Sequence, residues 1–332
     1  MTRIAVNGFG RIGRNVLRAM LERDSKLEVV AVNDLAEPAA LARLLAYDTT
    51  AGRLGRPVTV DGDAVLVDGR RIKVLAERDP ARLPWTELGV DVALESTGRF
   101  TAAEAARAHL DAGARKVLVS APSAGADVTV AYGVNTDAYD PATHTVVSTA
   151  SCTTNALAPL ASVLDGLAGI EHGFMTTVHA YTQEQNLQDA PHRDARRARA
   201  AAVNIVPTTT GAAKAIGRVL PKLDGRLSGD SIRVPVPVGS IVELNTTVAR
   251  DVSRDDVLAA YRAAADGPLA GILEYSEDPL VSSDIVGNPA SSIFDSALTR
   301  VDGRHVKVAA WYDNEWGFSH RVVDMLELLA SR

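Results

Sequence analysis

Three features of the 332-residue sequence predict an α/β architecture in two domains. Short apolar runs alternate with helix-patterned stretches, 46% of residues are hydrophobic but only 5% aromatic, and the chain is long enough for two cores. Abundant alanine with few aromatics suits aliphatic helices packed on sheets. No run of 18 apolar residues occurs, and no basic region leading into an apolar segment follows Met1, so a soluble, unexported, cytoplasmic protein without a membrane partner is expected. A net charge of −6 argues against a general nucleic-acid binder. The single cysteine, Cys152, excludes an intrachain disulfide and a multi-cysteine metal site, and the sequence shows no metal cluster or internal repeat.

The first domain is expected over residues 1–149. Residues 3–6 form a strand that runs into Asn7-Gly8-Phe9-Gly10-Arg11-Ile12-Gly13-Arg14, and residues 15–22 carry a helical pattern. In that arrangement Gly8 permits a tight turn, Gly10 lets a pyrophosphate approach, and Gly13 allows close packing of helix on strand. The helix N-terminus would hold the phosphates. The next strand, residues 28–33, ends in Asn33-Asp34, where Asp34 can accept from both ribose hydroxyls of an adenosine. Its charge repels a 2′-phosphate, so NAD is favoured over NADP. A helix over residues 39–46 and a turn-rich stretch from Tyr47-Asp48 follow, then short strands at 58–60, 64–67 and 71–75 forming an antiparallel excursion. A strand at 90–95 leads to a helix at 102–112 and a strand at 116–120, and residues 128–133 and 144–147 complete the sheet. Ser96, Thr97 and Ser120, at strand ends, suit nicotinamide-side contacts or N-caps of the following helices.

The second domain, residues 150–314, opens on Ser151-Cys152-Thr153-Thr154-Asn155, with a helix continuing through residue 167. Cys152 would sit near a helix N-terminus, where free N–H groups and the dipole favour an anion and lower a thiol pKa. A lone cysteine is more commonly a small buried hydrophobe; the hydroxyl neighbours favour the nucleophile. The strand at 173–179 delivers His179 to its end as a base for the thiol. The chain has seven histidines, and His109 and His172 lie in contexts that need no chemistry. Residues 180–202 form a long polar connection with Glu184, Asp189, Asp194 and Arg193, Arg196, Arg197 and Arg199, which packs against a cofactor or another subunit, or is a solvated face. Residues 204–211 lead into a helix at 212–220 whose start forms an anion site. Arg233 is expected to begin a strand at 233–237 and to pair with the same anion. Strands at 240–248, 293–298 and 306–311 follow, with a helix capped by Ser253, Asp255 and Asp256 among them. A terminal helix at 320–329 returns to the first domain.

The Asn7 to Arg14 turn, Asn33-Asp34, the Cys152 block, Thr177-Val178-His179, residues 207–214 and Trp311-Tyr312-Asp313-Asn314-Glu315 together resemble the phosphorylating glyceraldehyde-3-phosphate dehydrogenases of glycolytic type. The resemblance spans virtually the whole chain and is similar to the forms of high-GC Gram-positive bacteria. It implies a Rossmann-type NAD-binding domain over residues 1–149, completed by the C-terminal helix over residues 315–332, and an α+β catalytic domain over residues 150–314 with a mixed, mainly antiparallel sheet. It implies a cytoplasmic homotetramer of glycolysis and gluconeogenesis, with residues 181–207 between subunits. Cys152 then matches the nucleophile and His179 its base. Gly8, Gly10, Arg11, Ile12, Gly13, Asp34, Arg78, Ser120 and Asn314 match the NAD site, with Asn314 facing the nicotinamide amide. Ser151, Thr153, Thr210 and Gly211 match inorganic-phosphate contacts, Thr182 and Arg233 substrate-phosphate contacts, and Arg197 a further anion-binding arginine. The implied substrates are D-glyceraldehyde 3-phosphate and inorganic phosphate.

Several positions depart from the commonest pattern of that family. Thr149 replaces an asparagine, Ala156 a second cysteine, Glu184 an aspartate and Asn186 a positive residue, and Val238-Gly239-Ser240 stands for Asn-Val-Ser. An erythrose-4-phosphate dehydrogenase is the nearest alternative enzyme. A surface adhesin or redox-sensing module retaining the fold is the alternative from another class, although such a module has no reason to keep thiol, histidine and both anion sites.

Overall fold

Ile4, Ala5 and Val6 are all fully buried, without the alternation of a half-exposed strand, because β1 (Arg3–Asn7) lies inside a sheet covered on both faces. The computed structural model describes residues 1–331. From β1 the chain forms α1 (Arg11–Glu22), β2 (Glu28–Asn33) and α2 (Pro38–Ala46), then a short ladder of β3 (Tyr47–Asp48) and β4 (Gly52–Arg53). It continues through β5 (Val58–Asp61), β6 (Ala64–Val67), β7 (Arg70–Leu75), β8 (Val92–Glu95), α3 (Ala103–Ala106), α4 (Ala108–Asp111), β9 (Lys116–Val119), β10 (Val128–Thr129) and β11 (Val146–Ser148). These strands, β3 and β4 apart, form one nine-stranded sheet in the order β10-β11-β9-β8-β1-β2-β7-β6-β5. Only β5–β6 and β6–β7 pair antiparallel; β7 rejoins the sheet parallel to β2, so the excursion extends the sheet at one end.

The glycines of the first turn have separate reasons. Gly8 has φ +93°, and a Cβ there would lie 2.6 Å from the Thr97 nitrogen. A Cβ on Gly13 would strike the Gly8 carbonyl oxygen and approach Val6 to 3.1 Å, so helix and strand meet only because no side chain intervenes. At Gly10 a Cβ would meet nothing within 4 Å, leaving open space at the start of α1.

The chain then forms α5 (Cys152–Ala168), β12 (Ile170–Ala180), β13 (Val206–Thr209), α6 (Ala212–Val219), β14 (Leu227–Val234), β15 (Ser240–Val248) and α7 (Arg254–Ala265). It closes with β16 (Leu273–Ser276), β17 (Ser292–Asp295), β18 (Arg300–Asp302), β19 (His305–Tyr312) and α8 (Trp316–Ser331). The second sheet runs β13-β14-β12-β15-β19-β17-β16, with β18 on β19. It is mixed and mainly antiparallel, since only β12–β14 and β16–β17 pair parallel. Its core gathers Leu157, Leu160 and Leu164 of α5 with Met175, Val242, Leu244, Val308 and Ala310 of the sheet, and Tyr261 stacks on Phe294 at 4.0 Å between centroids.

Two compact units result: Met1–Val130, Asp137–Ala150 and the residues from Ser319 onward in one, Ala131–Thr136 and Ser151–Phe318 in the other. No helix among the described residues is long and apolar enough to cross a membrane.

Three local expectations are corrected. The helix expected at 102–112 is two short pieces, because the chain tightens at Arg107, where the Leu110 N–H bonds the Arg107 carbonyl at 2.8 Å. The strand expected at 128–133 stops at Thr129, since Asn135 and Thr136 side chains accept from the Ala131 and Gly133 N–H groups and curl the chain. Arg233 does not begin a strand but lies near the end of β14. Gly229 and Asp230 obscured that strand, yet the glycine belongs there: a Cβ on it would strike the Met175 carbonyl of β12.

Substituting Gly13 by alanine is expected to destabilise the first unit by about 1–3 kcal/mol in urea unfolding, as overpacking does. Gly10→Ala should leave the melt within about 0.5 kcal/mol of the parent, as for a change that meets no neighbour, and weaken NAD binding instead. Equal stability losses in the two variants would refute this division of labour.

Candidate active site

The parallel register of β12 on β14 sets His179 directly beside Arg233. Met175, Thr177 and His179 take the buried face of β12 by the two-residue period, while Phe174 points out. Cys152 is the first residue of α5, and its half-buried Sγ lies 3.4 Å from His179 Nε2. Ser151 caps this helix, its hydroxyl oxygen accepting from the Thr154 N–H at 3.1 Å. Just before it, Ala150 has φ +57°, a left-handed conformation that costs a non-glycine residue about 1–2 kcal/mol. The corner that presents the thiol is therefore a strained one.

The thiol's environment reverses the sequence expectation. Burial pushes the Cys152 pKa up, and the opposing pull of the Arg233 charge is smaller. Burial, and after it the same arginine, pull His179 down to about 3. The resting pair is a neutral thiol facing a neutral imidazole. His179 Nδ1 lies 2.6 Å from the Ala180 carbonyl, which fixes its proton on that nitrogen and leaves Nε2 as an acceptor toward the thiol. Arg233 Nη1 comes within 3.1 Å of the same Nδ1 and donates to the Ala180 carbonyl and the Thr182 hydroxyl at 3.2 and 3.3 Å.

Around this pair the structure adds residues that sequence reasoning left without a role. Tyr312, at the end of β19, bonds Thr153 and Thr177 hydroxyls at 2.9 and 2.8 Å and meets the His179 ring edge-on at 6.0 Å. Burial drives its phenol pKa upward, so it stays neutral. Thr153, a predicted phosphate contact, thus turns its hydroxyl to Tyr312. Glu184 bridges the two arginines, in close ion contact with Arg197 and 3.6 Å from Arg233. Arg197 also donates to the Thr208 hydroxyl and the Thr209 carbonyl, just ahead of Thr210 and Gly211 at the start of α6. The Thr210 hydroxyl accepts from Ala212 N–H at 3.1 Å, and Gly211 is exposed. Arg196, the residue preceding Arg197, is exposed. Only the order of the sheet, with β14 on one side of β12 and β15 and β19 on the other, brings Glu184 and Tyr312 toward the thiol.

Asn314 is buried in this unit; its Oδ1 accepts from the Ser240 hydroxyl at 2.9 Å and the Gly239 N–H at 3.2 Å, leaving its amide N–H groups for other partners. Gly239, a departure noted in sequence, has φ +91°, and a Cβ there would hit the Ser282 carbonyl oxygen. In the first unit Asp34 follows β2 and accepts from Phe9 N–H at 3.0 Å, tying the acid to the glycine turn. Ser120 follows β9, its hydroxyl on the Glu95 carbonyl at 3.1 Å. Arg11 pairs closely with Asp48 and donates to Thr50 at 2.7 Å, Ile12 is half-buried in α1, and Arg78 is exposed. The open space at Gly10, the free start of α1 and the acid after β2 fit a dinucleotide. Among the described residues no group of three or more potential ligands could hold a metal.

One unit has a Rossmann-type dinucleotide fold, and the other holds a half-buried cysteine against a buried histidine near Arg233, the features of a nucleotide-dependent enzyme class. Comparison with known proteins narrows this class. Residues 2–103 match the family model for the glyceraldehyde 3-phosphate dehydrogenase NAD binding domain, and residues 151–314 the model for the C-terminal domain of the same enzymes. The chain is 84% identical to a glyceraldehyde-3-phosphate dehydrogenase of Kitasatospora aureofaciens over the full length of both. It is 60% identical to glyceraldehyde-3-phosphate dehydrogenase 2 of Streptomyces arenae, covering 99% of this chain and 98% of that one. It is 56% identical to the Mycobacterium bovis enzyme, covering 98% of each. The chain belongs to the glyceraldehyde-3-phosphate dehydrogenase family, and NAD is its cofactor.

The depressed His179 pKa has a sign for stability. The unfolded imidazole takes a proton below 6.5 while the folded one stays neutral down to about 3, so stability is intact above 6.5 and falls as pH drops through that window. His179→Asn should flatten the pH dependence of urea unfolding between these limits by up to about 1.4 kcal/mol per pH unit. Arg233→Leu should move the pH profile of Cys152 alkylation by neutral iodoacetamide upward by about 1 unit, since a nearby positive charge is lost. An unmoved profile would show that the arginine does not govern the thiol.

Proposed function

We propose that the enzyme reversibly oxidises and phosphorylates D-glyceraldehyde 3-phosphate to 1,3-bisphosphoglycerate through a thiohemiacetal and a thioester on Cys152. The observation that carries the reading is the 3.4 Å approach of Cys152 Sγ to His179 Nε2, flanked by two arginines that share one carboxylate. As the sulfur attacks the aldehyde carbon, Nε2 takes the thiol proton, and the new alkoxide is protonated from the imidazolium. His179 then accepts that hydroxyl proton while the C–H hydride departs, leaving the acyl group on sulfur. NAD, when bound, supplies the hydride acceptor. An orthophosphate oxygen attacks the thioester carbonyl, the thiolate leaves, and the acyl phosphate is released.

Two anions must be held in this cycle. Arg233 with Thr182 suits the phosphate ester, and Arg197 with Thr210, Gly211 and Ser151 suits inorganic phosphate, with Thr153 joining if its hydroxyl leaves Tyr312. Glu184 contacts both arginines, so a dianion held by them would compete with its carboxylate. The resting neutral pair fits the same logic: the Cys152 proton leaves only as a carbon electrophile arrives. In this reading the first unit, completed by the end of α8, is the cofactor domain, and the unit carrying Cys152 is catalytic. Gly8, Gly10, Arg11, Ile12, Gly13, Asp34, Arg78 and Ser120 hold NAD, with Asn314 donating to the nicotinamide amide. The exposed Leu187, Val203 and Ile205 within the 181–207 connection support its placement between subunits of a homotetramer in the cytoplasm.

The test is initial-rate NADH formation from D-glyceraldehyde 3-phosphate and D-erythrose 4-phosphate, with and without orthophosphate, using Cys152→Ser as control. Turnover of the triose that collapses without phosphate is expected; preference for the tetrose, persisting without phosphate, would move the assignment to the erythrose-4-phosphate enzyme. Asp34→Ala should weaken NAD binding and raise relative NADP use, because the repulsion of a 2′-phosphate is removed. Unchanged NAD/NADP selectivity would count against that role.

A further inference from the structure

A chain of buried side chains runs beneath the carboxyl edge of the first sheet. Glu95, 1% exposed at the end of β8, accepts on Oε2 from Asn7 Nδ2 at 2.6 Å and from His109 Nε2 at 3.1 Å. On Oε1 it accepts from the Thr97 N–H at 2.8 Å and, closely, from the Thr97 hydroxyl. Asn7 Oδ1 accepts from Asn33 Nδ2 at 2.7 Å. Asn33 in turn pairs with the Glu77 peptide in both senses, Nδ2 to the carbonyl and Oδ1 from the N–H, each at 2.8 Å. At the other end the Trp85 indole N–H donates to His109 Nδ1 at 3.0 Å.

The order of donors and acceptors in this chain is forced. An indole N–H can only donate, so His109 must accept on Nδ1 and carries its hydrogen on Nε2. A carboxylate can only accept, so Asn7 must turn its NH2 to Glu95 and its oxygen to Asn33. Asn33 must then donate to Asn7, and its remaining hydrogen and its oxygen match the Glu77 carbonyl and N–H. Each amide could sit either way round by itself; Glu95 at one end and the Glu77 peptide at the other, whose N–H only donates and whose carbonyl only accepts, impose the same order on both.

What the chain touches gives it a purpose. Asn7 is the first residue of the glycine turn, and the Ser96 hydroxyl beside Glu95 donates to the Gly8 carbonyl at 2.6 Å. Asn33 immediately precedes Asp34, Glu77 immediately precedes Arg78, and Ser120 donates twice, through N–H and hydroxyl, to the Glu95 carbonyl. The proposed cofactor contacts of this unit thus stand one step from the relay. We propose that Glu95 is a positioning residue for NAD: by anchoring the Asn7–Asn33 relay at the end opposite the Glu77 peptide it holds the glycine turn, the Asp34 strand end and the Arg78 segment together as one preorganised adenosine site. The inference rests on the assignment of Asp34 and its neighbours to the ADP-ribose part of NAD.

Glu95→Gln is the direct test. The carboxamide keeps one acceptor for Thr97 but points an NH2 at Asn7 and His109, so either Asn7 keeps its order and two NH2 groups face each other, or Asn7 and Asn33 reverse and lose both hydrogen bonds to Glu77. Affinities for NAD and for ADP-ribose, measured by titration calorimetry, should fall together by about tenfold or more, as when a buried polar group loses its partner. Cys152 alkylation, which depends on residues of the other unit, should not change. Combining Glu95→Gln with Asn33→Ala should add little to either single loss, because the end of the relay is already gone. His109→Gln, which can offer its oxygen to Trp85 and its NH2 to Glu95, should retain affinity where His109→Leu does not. A merely structural role would lower the melting temperature yet leave the ADP-ribose affinity of the folded variant unchanged, and that result would overturn the proposal. If Glu95→Gln does not fold, Asn33→Asp, which cannot donate to Asn7 or to Glu77, carries the test with the same two outcomes. Loss of ADP-ribose affinity in Asp34→Ala but not in the relay variants would sink the relay alone; no loss in Asp34→Ala would sink the adenosine assignment itself.

Discussion

The placing of His179 and Arg233 in the second unit depends on how β12 lies against β14. Their parallel register pairs His179 with Arg233 and Ala180 with Val234, and a slip of one residue would turn His179 from the buried face to the outer one. The close contact of the two strands requires Gly229, where any side chain would strike Met175. From that register follows the reach of Arg233 to His179 and Thr182, while the pairing of β12 with β15 and of β15 with β19 sets Tyr312 against Thr177. The thiol itself is placed by a different constraint, the strained corner at Ala150 followed by the Ser151 cap. Two independent backbone devices thus converge on a single 3.4 Å contact.

Residues whose meaning is local were legible in the sequence. The glycine turn announces itself because its three glycines fall at fixed spacing between a strand and a helix, and Cys152 because it opens a helix after a run of hydroxyls. Strand ends such as Asn33 and His179 were readable from apolar runs that stop at a polar residue. Residues whose meaning is tertiary were not. Nothing near Glu184 says that it will span Arg197 and Arg233, and Tyr312 reads as one more aromatic at the end of a strand. β14 was hidden by Gly229 and Asp230, which weaken strand propensity for the sake of packing. His109, whose sequence context asks for no chemistry, is fully buried and holds Glu95.

The pKa of Cys152 shows how a correct local rule can lose to a global term. The start of α5 offers the dipole that favours a thiolate. Desolvation acts on the same atom in the other direction and is the larger effect, and it lowers His179 as well. A position at a helix start can be read from sequence, whereas depth of burial belongs to the whole fold. The consequence is electrostatic: burial favours the neutral thiol, and the Arg233 charge is the largest influence in the other direction. An anion bound there would weaken the field that holds the imidazole unprotonated and so raise the histidine's readiness to accept the proton.

The two units use buried polarity in opposite ways. In the first, Glu95 has four donors and its neighbours are matched in one order only, an arrangement with no spare hydrogen-bonding capacity and hence no incentive to rearrange. In the second, Arg233 keeps a buried Nε–H without a partner, Arg197 and Arg233 share a carboxylate, and the thiol and imidazole stay uncharged. Such a site is incompletely satisfied and gains by taking in an anion and an electrophile together. A cofactor that must dock in one register is matched by rigidity, and a reaction that must gather and release charge is matched by groups left partly unpaired.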